Sequence, residues 1–336
     1  MEKVLFIAHV DDGLSRTALE ALNGAKGLAE GLGCALAVGL YGANVQAAAD
    51  SIAGCGAEFF GVTGEAFVQA RYAADAAACE ALAKTAEATI VIAPATSRLS
   101  RALPGAAYRL GGRIDTQATE LAAEGGVAAI TRWYYRQRMF AHMSRTERPW
   151  FVTVAPCCFA PLDGAAGSAS VTAVDADASA GRTAVTGLES PAADEQTIRP
   201  DADLLFVAGA GWTKKQADGA AHVPEAEGLI KGFLDTTKSS LGSSKSLVDI
   251  SGEGAAVISF LTHLHQVGQT GATPRHAKGL ATCCHGEEPH VVGWRFINER
   301  RAVNLDAGCG WAQGKADVLY VADAFEVMAK VNELLG

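Results

Sequence analysis

The chain has 336 residues, 49% apolar and 19% charged, with a net charge of −9 from 28 basic and 37 acidic residues. At about 150 residues per domain the length suggests two domains, and the apolar content excludes a chain that is disordered throughout. The acidic balance argues against a nucleic-acid binder, which needs basic clusters to neutralise phosphates.

The first half alternates short apolar runs with helical periodicity. Residues 4–10 read as a buried strand, 17–30 as a helix stopped by Gly31-Leu32-Gly33, and 35–40 as the next strand. A helix over 44–52, a strand over 58–62, a helix over 72–85, a strand over 88–94 and a helix over 97–110 follow. A further strand is expected at 151–154. Apolar strands alternating with helices imply a parallel sheet covered on both faces. Residues 164–200 are rich in Ala, Ser, Asp, Glu and Thr, and read as a surface connection with one strand at 170–174. The pattern then restarts, with a strand at 203–208, a helix at 224–236, short strands at 246–250, 301–305 and 318–321, and a closing helix at 324–335. The expected fold is α/β: two lobes of nucleotide-binding type, each with a mainly parallel sheet, the C-terminal lobe flavodoxin- or Rossmann-like. The expected domains are 1–199 and 200–336.

No apolar run reaches the roughly 18 residues of a membrane span. The N-terminus reads as a strand, not a secretion signal. Eight cysteines are too few for a disulfide scaffold. The vicinal pairs Cys157-Cys158 and Cys283-Cys284 make poor structural disulfides, so a reducing, cytoplasmic setting is expected. Cys157-Cys158 follows a strand and reads as buried structural thiols.

Several segments carry possible chemistry. Gly209-Ala210-Gly211 follows a strand, where a glycine-rich turn lets backbone N–H groups approach a phosphate. Lys214 stands where the third glycine of a dinucleotide fingerprint belongs, and a ligand-free turn explains the pattern as well. Gly242-Ser243-Ser244-Lys245-Ser246 resembles only the tail of a phosphate-binding loop. Val267-Gly268-Gln269-Thr270-Gly271 offers an amide and a hydroxyl between glycines, in what composition alone reads as a turn. His263, His265, His276, His285 and His290 lie close to Cys283 and Cys284 in sequence, which raises metal binding. The spacing argues against it, since no Cys-x-x-Cys occurs. Arg132, Tyr134, Tyr135, Arg136 and Arg138 form a basic aromatic stretch, read as a solvated face or a subunit contact.

Taken in order, these segments resemble the alpha subunit of the electron transfer flavoproteins. That family has Gly-Ala-Ser-Arg-Ala-Ala-Val-Asp where this chain has Gly242 to Asp249, and its Val-Gly-Gln-Thr-Gly stands unchanged as Val267 to Gly271. Its Ser-Gly-Ala-x-Gln-His segment falls on His285 to His290, with Gly286 at the glycine. Its Ala-x-Asn-x-Asp resembles Ala302 to Asp306, its closing Gly-Asp-Leu-Phe resembles Ala322 to Phe325, and its linker strand resembles Val154 to Phe159. The family's Val-Ser-Gly-Gly-Arg-Gly turn reads Val207 to Trp212, without the arginine. Glu287 and Pro289 also depart from the pattern.

The resemblance implies FAD, held mainly by the C-terminal domain, and a relay of single electrons from a flavin-dependent dehydrogenase such as an N-demethylase. It implies a beta-like partner subunit and no substrate site of the chain's own. By position, Thr270 would bond the flavin N5 region with Gln269 beside it, and Lys245 would stand for an arginine near the isoalloxazine. His290 would sit near the C2 carbonyl and Ser244 would reach the pyrophosphate. Asn304 and Asp323 would hold the adenosine half, and Gly209, Gly268, Gly271 and Gly286 complete the set. A cation or donor near N1 and C2 is what a one-electron flavin carrier needs, although a lysine point charge is not an arginine fork. Two other classes stand beside this one. One is a structural subunit without FAD in a multi-subunit oxidoreductase. The other is a metal or iron–sulfur subunit using Cys283, Cys284, His285 and Cys309.

Overall fold

The computed structural model describes residues 2–135, 139–164, 166–179, 181–189, 198–199, 202–249, 257–267, 273–282, 297–307 and 316–336. The chain divides into two compact units, Met1–Leu188 and Glu189–Gly336.

The first unit is built on a strand buried on both faces. In β1 (Lys3–Val10), Val4, Phe6, Ala8 and Val10 enter one apolar cluster while Leu5 and Ile7 enter another on the opposite face. That division follows from the two-residue period of a strand. β1 pairs in parallel with β2 (Ala35–Gly42) on one side and β4 (Ile90–Pro94) on the other. β3 (Glu58–Thr63), β8 (Trp150–Val154) and the short β9 (Val171–Ala173) extend the parallel part. β5 (Arg113–Glu124) runs parallel to β8, then turns into β6 (Val127–Tyr134) and β7 (Met139–Met143), which pair antiparallel. The order across the sheet is β7-β6-β5-β8-β4-β1-β2-β3-β9.

Helix α1 (Arg16–Leu32) covers one face with Ala21, Leu22, Ala25 and Leu28. Ser15 caps its start by accepting from the Ala18 N–H at 3.2 Å, and Gly33 ends it in the left-handed region at φ 62°. α2 (Gln46–Ser51) places Ala48 and Ala49 in the same cluster. α3 (Tyr72–Thr85) and α4 (Ser97–Arg109) cover the opposite face.

The second unit has a five-stranded, wholly parallel sheet. Its strands are β10 (Leu204–Ala208), β11 (Ser240–Ser243), β12 (His276–Thr282), β13 (Ile297–Asn304) and β14 (Val318–Val321). They lie in the order β11-β10-β12-β13-β14. This is the flavodoxin-like order, in which the chain reverses direction across the sheet between its first and third strands. β10 alternates as β1 does, with Phe206 and Ala208 in one cluster and Leu205 and Val207 in the other. α5 (Val223–Thr237) and α7 (Ala324–Leu335) pack on the first of these faces through Ile230, Phe233, Phe325 and Met328.

The architecture is α/β with two sheets, as expected. One element differs in kind: the expected strand at 246–250 is the helix α6 (Lys245–Asp249). The Ser244 hydroxyl accepts from the Leu247 N–H at 3.3 Å, and that cap outweighs the apolar look of the run.

Candidate functional site

In an open parallel sheet, ligands meet the carboxyl ends of the strands where the strand order reverses. In the second unit that place lies between β10 and β12. The glycine-rich turn after β10 closes on itself. Residues 210–213 make one turn of 3-10 helix. The Gly209 N–H donates to the Thr282 carbonyl at 2.8 Å and is therefore already engaged. Trp212, one residue past Gly211, which stands at the position of the family's arginine, is fully buried. Its indole N–H donates to Thr282 Oγ at 2.9 Å, and its ring centroid lies 4.6 Å from that of Phe325. Lys214 and Lys215, the nearest basic residues, are exposed.

The end of β11 is different. Gly242 must be glycine, because a Cβ there would lie 2.4 Å from Val267 Cγ2. Ser243 and Ser244 are buried. The Ser244 N–H donates to the Ala208 carbonyl at 2.8 Å, which joins the ends of β10 and β11. Lys245 follows on the surface as the first residue of α6.

A second segment runs beside this one. Thr262 and His265 form a capping box around the short 3-10 helix His263–His265. The chain then pairs with β11, through a parallel bridge between Ser243 and Gln266 and a Val267 N–H to Ser243 carbonyl bond of 3.1 Å. Here the hydroxyl of Ser243 and both polar atoms of the Gln266 amide are buried without a hydrogen-bond partner among the described residues. Such atoms are rare in folded proteins, and each costs about 1–3 kcal/mol unless something meets it.

Across the sheet, Asn304 ends β13, buried, and donates to the Asp306 carbonyl at 2.9 Å. Asp323 opens α7 and accepts from the N–H groups of Phe325 at 2.7 Å and Glu326 at 3.4 Å. The Ala322 N–H bonds the Asn304 carbonyl at 3.1 Å and ties these two ends together.

Of the expected site residues, Gly209, Ser244 and Lys245 are therefore gathered at the ends of β10 and β11. Asn304 and Asp323 form a second group at the ends of β13 and β14. Gly268, Gln269, Thr270, Gly271, Gly286 and His290 lie outside the described residues, as do Cys283, Cys284, His285 and Cys309. Among the described residues no cluster of three or more His, Cys, Asp or Glu side chains is placed to hold a metal ion. His276 is fully buried in β12, its ring nitrogens 2.9 Å and 2.8 Å from the carbonyls of Pro274 and Arg199. Reading the sequence did not single out Ser243, Gln266, Trp212 or Thr282. Ser243 lies inside a quoted motif and Gln266 directly before another, but nothing in their residue types marks them as unsatisfied.

In the first unit the main buried charged groups are matched. Asp75 takes Arg98 at 2.7 Å, and Arg98 also reaches the carbonyls of Phe67 and Val68 at 2.7 Å and 2.9 Å. Asp115 accepts from Arg145 and from the Trp150 indole. Burial acts to raise the Asp115 pKa, but the Arg145 and Trp150 hydrogen bonds and the charges of Arg145 and Arg132 outweigh it and hold the carboxyl below its ordinary value.

The family model for the electron transfer flavoprotein domain matches residues 4–179, more than half of the chain and almost all of the first unit. The chain belongs to the electron transfer flavoprotein family. No curated protein matches it. Among the described residues no helix is long and apolar enough to cross a membrane.

Proposed function

We propose that the chain is an alpha-like electron transfer flavoprotein subunit. On this reading it holds FAD at the carboxyl edge of the five-stranded sheet, pairs with a beta-like subunit in the cytoplasm, and receives electrons from a flavin-dependent dehydrogenase, an N-demethylase being the favoured kind. Bound FAD supplies the one-electron chemistry. The observation that carries the reading is an unsatisfied polar edge, Ser243 with Gln266, in the second unit of a chain whose first unit matches the family domain.

The donor set suits such a group. Ser244 and Lys245 offer a hydroxyl and a cation, and Asn304 an amide whose nitrogen donates to the Asp306 carbonyl and whose oxygen is an acceptor. Thr270, Gln269 and His290, with Gly209, Gly268, Gly271, Gly286 and Asp323, complete the assignment by resemblance. The chain's own work is to bind and orient the cofactor and to place a positive side chain, Lys245, beside it.

A second reading is favoured by one observation. The turn after β10 is closed by Trp212, and its Gly209 N–H is engaged by Thr282, so it does not present that donor to a phosphate. A structural subunit without FAD in a larger oxidoreductase accounts for this. Native purification with identification of the bound cofactor and the co-purifying chains separates the two. The carrier reading expects extractable FAD, a beta-like chain and a flavin-dependent dehydrogenase. A dehydrogenase complex with no flavin at this subunit would establish the scaffold instead.

A further inference from the structure

We propose that the neighbouring cysteines Cys157 and Cys158 are a reversible oxidation site, at which a hydroperoxide joins the two sulfurs in a strained disulfide that a dithiol reductant reopens. The site lies in the first unit and does not depend on the flavin reading.

Both thiols sit in the turn that follows β8, at the carboxyl edge of the nine-stranded sheet. The sequence reads them as buried structural thiols. The structure instead leaves both partly exposed, and neither is in a disulfide. The other described cysteines differ. Cys34, Cys55 and Cys79 have no cysteine beside them in sequence, and burial raises the pKa of all three thiols, which keeps them in the less reactive protonated form.

The turn is held on both sides of the pair. Before it, the Ala155 N–H donates to the Ala118 carbonyl at 2.9 Å, and after it the Leu162 N–H donates to the Leu19 carbonyl at 3.1 Å. The Phe159 ring packs on α1, where a Cβ on Gly24 would stand 3.1 Å from it. Cys157 itself has φ 58°, in the left-handed region that L residues rarely adopt. Its N–H donates at 2.6 Å to Glu20, a carboxylate 1% exposed that also takes Arg16 at 3.0 Å. A buried carboxylate thus fixes the main chain at the first thiol. Such conformations persist only where the surroundings enforce them, and they gather at functional sites.

Adjacent cysteines need no folding rearrangement to meet. The peptide between them is trans, which sets their Cα atoms about 3.8 Å apart. Ordinary disulfides span roughly 4.4–6.8 Å between Cα atoms. A bridge across the shorter gap is strained and readily reduced, which is the character of a labile bond and not of a structural one. In the forward step one sulfur attacks a peroxide oxygen, the O–O bond breaks, and a sulfenic acid and one water form. The second sulfur then attacks the sulfenic sulfur, the S–O bond breaks, and the oxygen leaves as a second water. Two thiols lose two electrons and two protons, and one peroxide becomes two waters.

The test uses the full-length chain, reduced and then freed of reductant. Trypsin releases residues 146–182 as one peptide, because Arg148 is followed by proline, and that peptide holds no other cysteine. After brief exposure to hydrogen peroxide and blocking with iodoacetamide, mass spectrometry should find this peptide unlabelled and two hydrogens lighter. Dithiothreitol added before blocking should restore two labels. A peptide that still takes two labels after peroxide overturns the proposal. So does one carried to the sulfinic acid, which dithiothreitol does not restore, and so does one cross-linked to a different cysteine.

Discussion

The two units use one plan and leave it in different states. Each has a parallel sheet whose first strand sends alternate side chains into two apolar clusters. They differ in how buried polar groups are matched. In the first unit Asp75 has Arg98, Asp115 has Arg145 and Trp150, and Glu20 has Arg16 and the Cys157 N–H. Among the described residues of this unit the Tyr41 hydroxyl, one Asp75 carboxylate oxygen and Arg132 Nε are buried without a hydrogen-bond partner, and burial raises the Tyr41 pKa above the ordinary tyrosine value. In the second unit a whole amide and a neighbouring hydroxyl go unmet among the described residues at the carboxyl edge. The first unit leaves single atoms unmet; the second leaves a whole side-chain amide, which the proposed function assigns to a ligand site.

The contrast can be broken most severely at Arg98. Arg98→Ala leaves the buried Asp75 with only the longer, half-exposed Arg101 contact at 3.8 Å, and unfolding of the first unit by denaturant should show a loss of about 3–5 kcal/mol. A loss below about 1 kcal/mol would mean that the pair behaves as a surface contact. In the second unit Trp212→Phe removes the indole donor from Thr282 and opens a small void. The expected cost is about 1–3 kcal/mol, read from chemical denaturation of that unit.

Asp115→Asn tests matching by pH. The folded carboxyl has a lowered pKa, so its stabilising effect is present above the ordinary value of 3.8 and is lost as pH falls through the lower folded value. Wild type should therefore exceed the variant at neutral pH, and the two denaturation midpoints should converge in acid. A gap that stays constant down to the acid range would show that the carboxylate's charge is not what stabilises.

The smallest effect is expected at Asp323, where capping and the proposed adenosine contact coincide. Asp323→Ala should cost about 1 kcal/mol of stability, and Asp323→Ser should restore most of it. If serine also restores FAD affinity, the residue acts through the cap; if affinity stays low, the carboxylate meets the ligand.

The parallel cores were legible in the sequence because strands buried on both faces are apolar throughout. β1, β2 and β4 stand out for that reason. β5, β6 and β7 did not, because their residues are partly exposed and mixed in polarity, and the Arg- and Tyr-rich run that forms part of β6 looks like surface. β12 was hidden by His276 and Lys278, whose polar side chains mask a strand that packs through alternate residues. The candidate site was legible as the motif at Gly242 to Lys245 and as Val267, the first residue of a second motif whose remainder lies outside the described residues. Its unsatisfied atoms were not, since a glutamine reads the same whether or not a partner meets it.

The most direct test of the account is the ratio of flavin to chain after native purification, with and without changes at Thr270 and Asn304. About one FAD per chain in the wild-type protein, lost on Thr270→Ala with Asn304→Leu, is the predicted result. A colourless wild-type protein that also fails to take up added FAD would contradict it, and would leave a family member whose second sheet serves some other polar ligand.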